Sequence, residues 1–199
     1  KIKNFFINNK KNFITIISII LLLLIGYFSF DVIKKENKIE LTNTFNSATI
    51  NFKIGKDKKS IEQLISIINK QDVTYSPLAL YFLIDNNLIE SKIEINDFFD
   101  VLINKTNFEK EIKNLIIYKK ALFNSNFADE NELIKMLNPI INSESIWKSH
   151  SLYLMGEYFY SKKEKQKAKE FFNQILSLPK GNNDIKLKSQ KRINRDFSE

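Results

Sequence analysis

The sequence contains no cysteine, only 4 glycines and 3 prolines, and a single histidine among its 199 residues. Without cysteine there can be no disulfide, no thiol nucleophile, no thiolate-held metal and no acylated cysteine of the lipoprotein kind. The single histidine, His150, excludes a two-histidine metal site, and any Ser/His/Asp triad would have to use it. A structural or groove-lining place is the expectation for it. Scarce glycine and proline leave few turn signals and favour long regular elements. Strand-like alternation joined by Asn-Gly turns is missing throughout, so the expected fold is all-α.

What is present is rich in Ile, Asn, Lys and Phe, with one uninterrupted apolar run. Phe13 to Phe30 reads FITIISIILLLLIGYFSF, 18 residues without a charge. At 1.5 Å per residue it spans roughly 27 Å as a helix, close to the hydrocarbon thickness of a bilayer. A cleaved signal peptide would end in small residues, whereas this run ends in Tyr27, Phe28, Ser29 and Phe30. An uncleaved anchor is therefore expected, carried by residues such as Phe13, Ile20, Leu23 and Phe30. A buried core helix is the blander reading, but no other segment is so uniformly apolar.

Lys1, Lys3, Lys10 and Lys11 precede the run, against a mixed Asp31, Lys34, Lys35, Glu36 flank after it, which predicts the N-terminal side in the cytoplasm. The C-terminal domain then faces the periplasm of a bacterium, from its inner membrane. Removing those four lysines from the 31 basic residues leaves 27 against 23 acidic ones, or +4 for the rest of the chain. A nucleic-acid binder shows a denser basic footprint, so nucleic acid is not an expected partner. About 165 residues remain after the run, enough for one domain with a real core.

Helices are predicted at 34–53, continuing from the membrane, and at 58–70, 77–90, 94–104, 107–125, 130–142, 145–161, 164–178 and 183–197. Ser76 before Pro77 reads as an N-cap with proline at the first helical position. Thr106 with Glu109 and Ser161 with Glu164 have capping-box spacing, and Asp129 opens ENELIKMLNPII. Short connections predict antiparallel neighbours. The clearest repeat unit is LYLMGEYFYSKKEKQKAKEFFNQILSLP, in which Leu152, Gly156, Phe159, Ala168, Phe172, Ile175 and Pro179 fall at nearly tetratricopeptide spacing. Small Gly156 and Ala168 would let two helices approach closely, and the large Leu152, Phe159 and Phe172 would fill the space beside them. Weaker copies place Leu133, Ile95 and Ile61 where Ala168 stands, at spacings of 35, 38 and 34 residues, and Ala121, Leu83 and Thr49 where Gly156 stands. A non-repeating bundle would also show apolar periodicity. The expected organisation is a cytoplasmic tail over 1–12, a transmembrane helix over 13–30, a juxtamembrane helix and linker over 31–56, a tetratricopeptide-like helical domain over 57–180 and a basic capping helix over 181–199.

With the anchor, the segment YSPLALYFLIDN (Tyr75 to Asn86), the stretch IWKSHSLYLMGEYFYSKKEKQKAKEFFNQIL and the basic tail KLKSQKRIN, the chain resembles the membrane-anchored, tetratricopeptide-repeat-like ancillary subunits of the Sec translocon in proteobacteria. The resemblance covers nearly the whole chain, although alanines usual in that family are often Ile, Leu or Ser here. It implies an inner-membrane protein whose periplasmic domain contacts the translocon and periplasmic chaperones.

No catalytic constellation emerges, and neither a cofactor nor an enzymatic activity is expected. Gly55 before KDKK is not a phosphate loop, and Asp129, Glu130 and Glu132 complement a helix dipole rather than a metal. The run KKEKQKAKE, Lys162 to Glu170, reads as a solvated helix face. On the tetratricopeptide frame, the first helix of each pair lines a groove, with Leu80 and Ile84, then Leu115, Tyr118 and Leu122, then His150, Tyr153, Glu157 and Tyr160 facing it. Exposed tyrosines suit an extended or helical peptide, unless the next helix covers them. The basic last helix, with Lys186, Lys188, Lys191, Arg192 and Arg195, reads as a solubilising cap or as a contact for anionic lipid or an acidic partner. The expected function is a membrane-tethered protein-interaction scaffold, accessory to Sec-dependent export or periplasmic quality control. The alternatives are an envelope or cell-division organiser and, more remotely, a hydrolase.

Overall fold

The structure, a computed structural model, describes residues 10–55 and 58–197, with the side chains of residues 10, 12–14, 31, 54 and 55 left outside the description. The tail lysines Lys1 and Lys3 and the side chain of Phe13 therefore lie outside the described residues. Among the described residues every regular element is an α-helix. The chain divides into two units, one ending at Gln63 and the other spanning Leu64–Glu199.

The first unit is built on α1, Lys10–Gly55, a single unbroken helix of 46 residues. The span expected as a juxtamembrane helix and linker is thus helical without a break as far as Gly55. Within α1 the apolar run is long and apolar enough to cross a membrane, and none of it is buried. Leu22, Leu23 and Phe30 are each 68% exposed and Ile20 is 51% exposed, so apolar surface surrounds the helix on every side. A water-facing helix would keep a polar face.

Further helices follow: α2 Lys58–Asn69, α3 Tyr75–Asp85, α4 Lys92–Lys105, α5 Lys110–Asn124, α6 Glu130–Ile141, α7 Lys148–Ser161, α8 Lys165–Ser177 and α9 Asn183–Asp196. From α3 onward each packs on its neighbours in sequence as antiparallel hairpins, and α7 also touches α5 and α9. The core at this end joins Ala121, Leu133, Leu137 and Ile140 to Leu152, Met155, Phe159, Ala168, Phe172 and Ile175. Gly156 lies so close to Phe172 that a Cβ on it would stand 2.6 Å from the ring. Of the weaker repeat copies, Leu133, Ile95, Ala121 and Leu83 are buried. Ile61 and Thr49 are only half-buried, so the earliest copy lacks that burial.

Three expected caps are corrected. Ser76 lies inside α3 and donates to the Ile67 carbonyl at 2.7 Å; the start of α3 is held by Asp72, whose Oδ1 accepts from the amides of Thr74 and Tyr75 at 2.8 and 2.7 Å. Thr106 ends α4 rather than opening a helix, and α5 begins after Glu109 with no side-chain cap. Ser161 closes α7 and donates back to the Tyr158 carbonyl. Asp129 does open α6, in a reciprocal capping box with Glu132. These caps fail because the Ser76 and Ser161 hydroxyls bond other carbonyls, while the Thr106 hydroxyl is buried with no partner among the described residues.

Glycine is so scarce that the helix ends turn on other residues. Gln71, Asn87 and Lys163 hold positive φ, with Lys163 at 65°. After α7 the Lys163 amide bonds Tyr160 and the Glu164 amide bonds Phe159 at 2.9 Å, a Schellman closure. The same closure at Asn87 and Leu88, whose amides bond Ile84 and Leu83, ends α3 at Asp85, short of the expected residue 90. Lysine is disfavoured in this left-handed region by about 1–2 kcal/mol. Lys163→Gly is therefore expected to raise stability by about 0.5–1 kcal/mol after its greater unfolded-state entropy is counted, as read by urea unfolding.

Candidate protein-binding groove

The groove residues read from the sequence fall in three places on α3, α5 and α7. Leu80 is the exception and a correction: it is fully buried in the core, so it cannot line a groove. Its neighbour Tyr81 takes that place instead. Ile84 and Leu122 come together with Tyr81, Asp85, Phe99, Lys119 and Phe123 around a cavity of about 290 Å³. The Tyr81 hydroxyl is buried with no hydrogen-bond partner among the described residues, and burial pushes its phenol up to about 12. Lys119 Nζ stands 5.7 Å from the centre of the same ring. A buried hydroxyl without an acceptor carries a desolvation cost that an incoming carbonyl could offset.

Where α5 meets α7, Tyr118 stacks on Trp147 at 5.9 Å and meets His150 edge-on at 5.9 Å, and Trp147 lies 5.1 Å from His150. A hydrogen-bond network sets this cluster. Glu111 on α5 accepts from the Ser145 hydroxyl and the Ile146 amide, Asn114 donates to Ser145 at 3.0 Å, and the Trp147 indole N–H donates to the Glu111 carbonyl. The start of α5 thereby pins the segment that leads into α7. Likewise Asn96 on α4 and Asn124 on α5 exchange two amide bonds of 3.0 and 2.8 Å. Tyr118, held beside these partners, has its phenol raised by burial.

His150 Nδ1 is buried without a partner among the described residues, and the histidine is made less basic by burial first and by Lys188 second. The unfolded chain takes up a proton near the ordinary value of about 6.5, while the folded chain resists it until lower pH. Stability is thus expected to fall as pH drops below that value. Thermal unfolding of the full chain between about pH 7 and about pH 5.5 should show a declining midpoint that is flattened in His150→Phe. This is the chain's one histidine, so no other imidazole blurs the reading.

Tyr153, Glu157 and Tyr160 continue along α7, where α9 lies beside them. Arg192 donates to Glu157 from one edge of its guanidinium, Nε to Oε1 at 2.8 Å and Nη2 to Oε2 at 2.6 Å, and its Nη1 donates to Asp196 at 2.8 Å. Glu157, then Asp196, strengthen its hold on its proton, and Arg195 keeps the Asp196 carboxyl below the usual range. Arg192 also sits 4.2 Å over the Tyr160 ring, which meets Phe197 at 5.8 Å. Glu157 is therefore already neutralised, and Tyr160 is half-covered. Burial, then the Glu157 carboxylate, raise the Tyr153 phenol. Ile185, Ser189 and Ile193 form the inward side of α9 at four-residue spacing, and Phe197 continues it just past the helix end.

Sequence reasoning passed over Tyr81, Lys119, Phe99 and Phe123, whose meeting depends on how three helices pack. The one available signal was Tyr81 followed by Asp85 four residues on, a polar pair on an otherwise apolar helix. Among the described residues no group of three His, Asp or Glu side chains converges where a cation could sit. No family model, no curated protein and no solved structure matches the chain.

Proposed function

We propose that this chain is a membrane-tethered, tetratricopeptide-like interaction scaffold, held in a bacterial inner membrane with its hairpin stack in the periplasm, where it assists Sec-dependent export or protein quality control. It acts by binding protein segments rather than by catalysis. The observation that carries the reading is the series of half-exposed aromatic and apolar side chains on alternate helices: Tyr81 and Ile84 on α3, Tyr118 and Leu122 on α5, Tyr153 on α7. Such side chains offer apolar area and a hydroxyl with few rotatable bonds, which suits capture of an extended or helical peptide.

The apolar run of α1 supports the tether, and the lysines before it favour a cytoplasmic N-terminus. One membrane helix confines the stack to a thin layer and raises its effective concentration for membrane partners. The test is co-purification with translocon subunits after gentle solubilisation. Repeated absence of those subunits, even after crosslinking, would count against the export role, and imaging at the division site would favour an envelope organiser.

A further inference from the structure

The cations of α9 are not spread evenly around the helix. Lys188, Lys191, Arg192 and Arg195 recur at intervals of three, one and three residues, on one side of the helix, and with Tyr153 and Glu157 of α7 they enclose a pocket of about 280 Å³. The two acids nearby, Glu157 and Asp196, are both taken up by Arg192 and Arg195. Lys188 and Lys191 are exposed and make no ion pair with a described residue, so the pocket keeps two uncommitted positive charges. Lys188 also acts electrostatically on His150, which places the cationic wall alongside the aromatic cluster of Tyr118, Trp147 and His150.

We infer that this pocket is a binding site for carboxylates of an acidic peptide segment, running beside α7 from His150 to Glu157. The inference rests on the scaffold reading and gives that groove its ligand chemistry. His150 to Glu157 covers about 10 Å of helix, the reach of about three residues in an extended chain. Two lysines three residues apart stand about 5–6 Å from each other, so they meet two neighbouring carboxylates of such a segment. Arg192, fixed by Glu157 and Asp196, stays in place as ligand arrives and loses little freedom. Two free charges are too few for the counterion release that drives nucleic-acid binding. A continuous layer of lipid phosphates would also press on Glu157 and Asp196, whereas separate carboxylates reach the lysines and avoid those acids.

The test uses the full chain in nanodiscs of zwitterionic lipid. A fluorescent peptide with Glu at alternate positions and aromatic residues between them is titrated by anisotropy beside its Gln counterpart, at low and high salt. The Glu peptide is expected to bind at least about tenfold tighter than the Gln peptide and to weaken with salt. Lys188→Glu with Lys191→Glu should abolish that preference without moving the unfolding midpoint, since both side chains are exposed. Lys188→Ala with Lys191→Ala should reduce it, and serves if the reversed pair disturbs folding. Equal binding of the two peptides, or a preference untouched by either pair, overturns the inference. So does a lysine-dependent affinity for vesicles of anionic lipid without one for the peptide. Failure here while translocon subunits still co-purify leaves the scaffold reading standing; failure of both removes it.

Discussion

Replacing Phe172 with alanine is expected to remove about 3–5 kcal/mol from the stability of the Leu64–Glu199 unit. The ring has no exposed surface and touches Tyr153 of α7 and Phe197 beyond α9, with ring centres at 5.5 and 6.1 Å. Its loss therefore opens a void shared by three helices that cannot all move inward together. The effect is a large share of the stability of an ordinary domain. Urea unfolding of the full chain in detergent, followed by Trp147 emission, measures it. Trp147 is the chain's one tryptophan and is packed against Tyr118, so its signal reports this unit and is blind to α1. A loss below about 1 kcal/mol would mean that the ring is not enclosed.

Gly156→Ala should change sign with its background. In the parent chain the new Cβ meets Phe172 Cε1 at 2.6 Å and Cζ at 2.9 Å, and a ring that is fully buried has nowhere to turn. Overpacking of this kind costs about 1–3 kcal/mol, against about 1 kcal/mol regained from helix propensity, for a net loss of up to about 2 kcal/mol. With Phe172→Ala already present, the same methyl fills part of the void and the substitution becomes stabilising by about 1 kcal/mol. The coupling between the two positions is then about 1–3 kcal/mol, readable in a double-mutant cycle. Equal effects in both backgrounds would show that glycine is not needed for the close approach of α7 and α8.

These positions were legible in the sequence because size alone marks them: a glycine and an alanine 12 residues apart, flanked by large apolar side chains, define a close helix pair. The apolar run of α1 and the all-α fold were legible for a similar reason, since each is written in many residues at once. The Asp129 capping box was readable because both partners lie within one turn. Ser161 misled because a hydroxyl bonds equally well to a nearby carbonyl of its own helix, and Ser76 because it bonds the Ile67 carbonyl of the preceding helix. Thr106 is buried at the end of α4 with no partner among the described residues. Facing was hard to read in α3, where YSPLALYFLID is nearly apolar all round and only the Tyr81 and Asp85 pair sets one side apart from Leu80. The ties that hold the site together were invisible for another reason. Asn96 to Asn124, Glu111 to Ser145 and Glu157 to Arg192 join residues 28, 34 and 35 apart, and no local pattern announces such pairs.

The central claim, that alternate helices of a membrane-tethered stack present a surface for protein segments, is tested most directly by a photo-crosslinking residue placed singly at Leu122 and at Tyr153 in living cells. Exposed positions on α8, Glu170 and Gln174, serve as controls on the same unit. The account predicts discrete crosslinked polypeptides from Leu122 and Tyr153 and none from the controls. Crosslinks of equal pattern from all four positions, or none from the two groove positions in a folded chain, would contradict it.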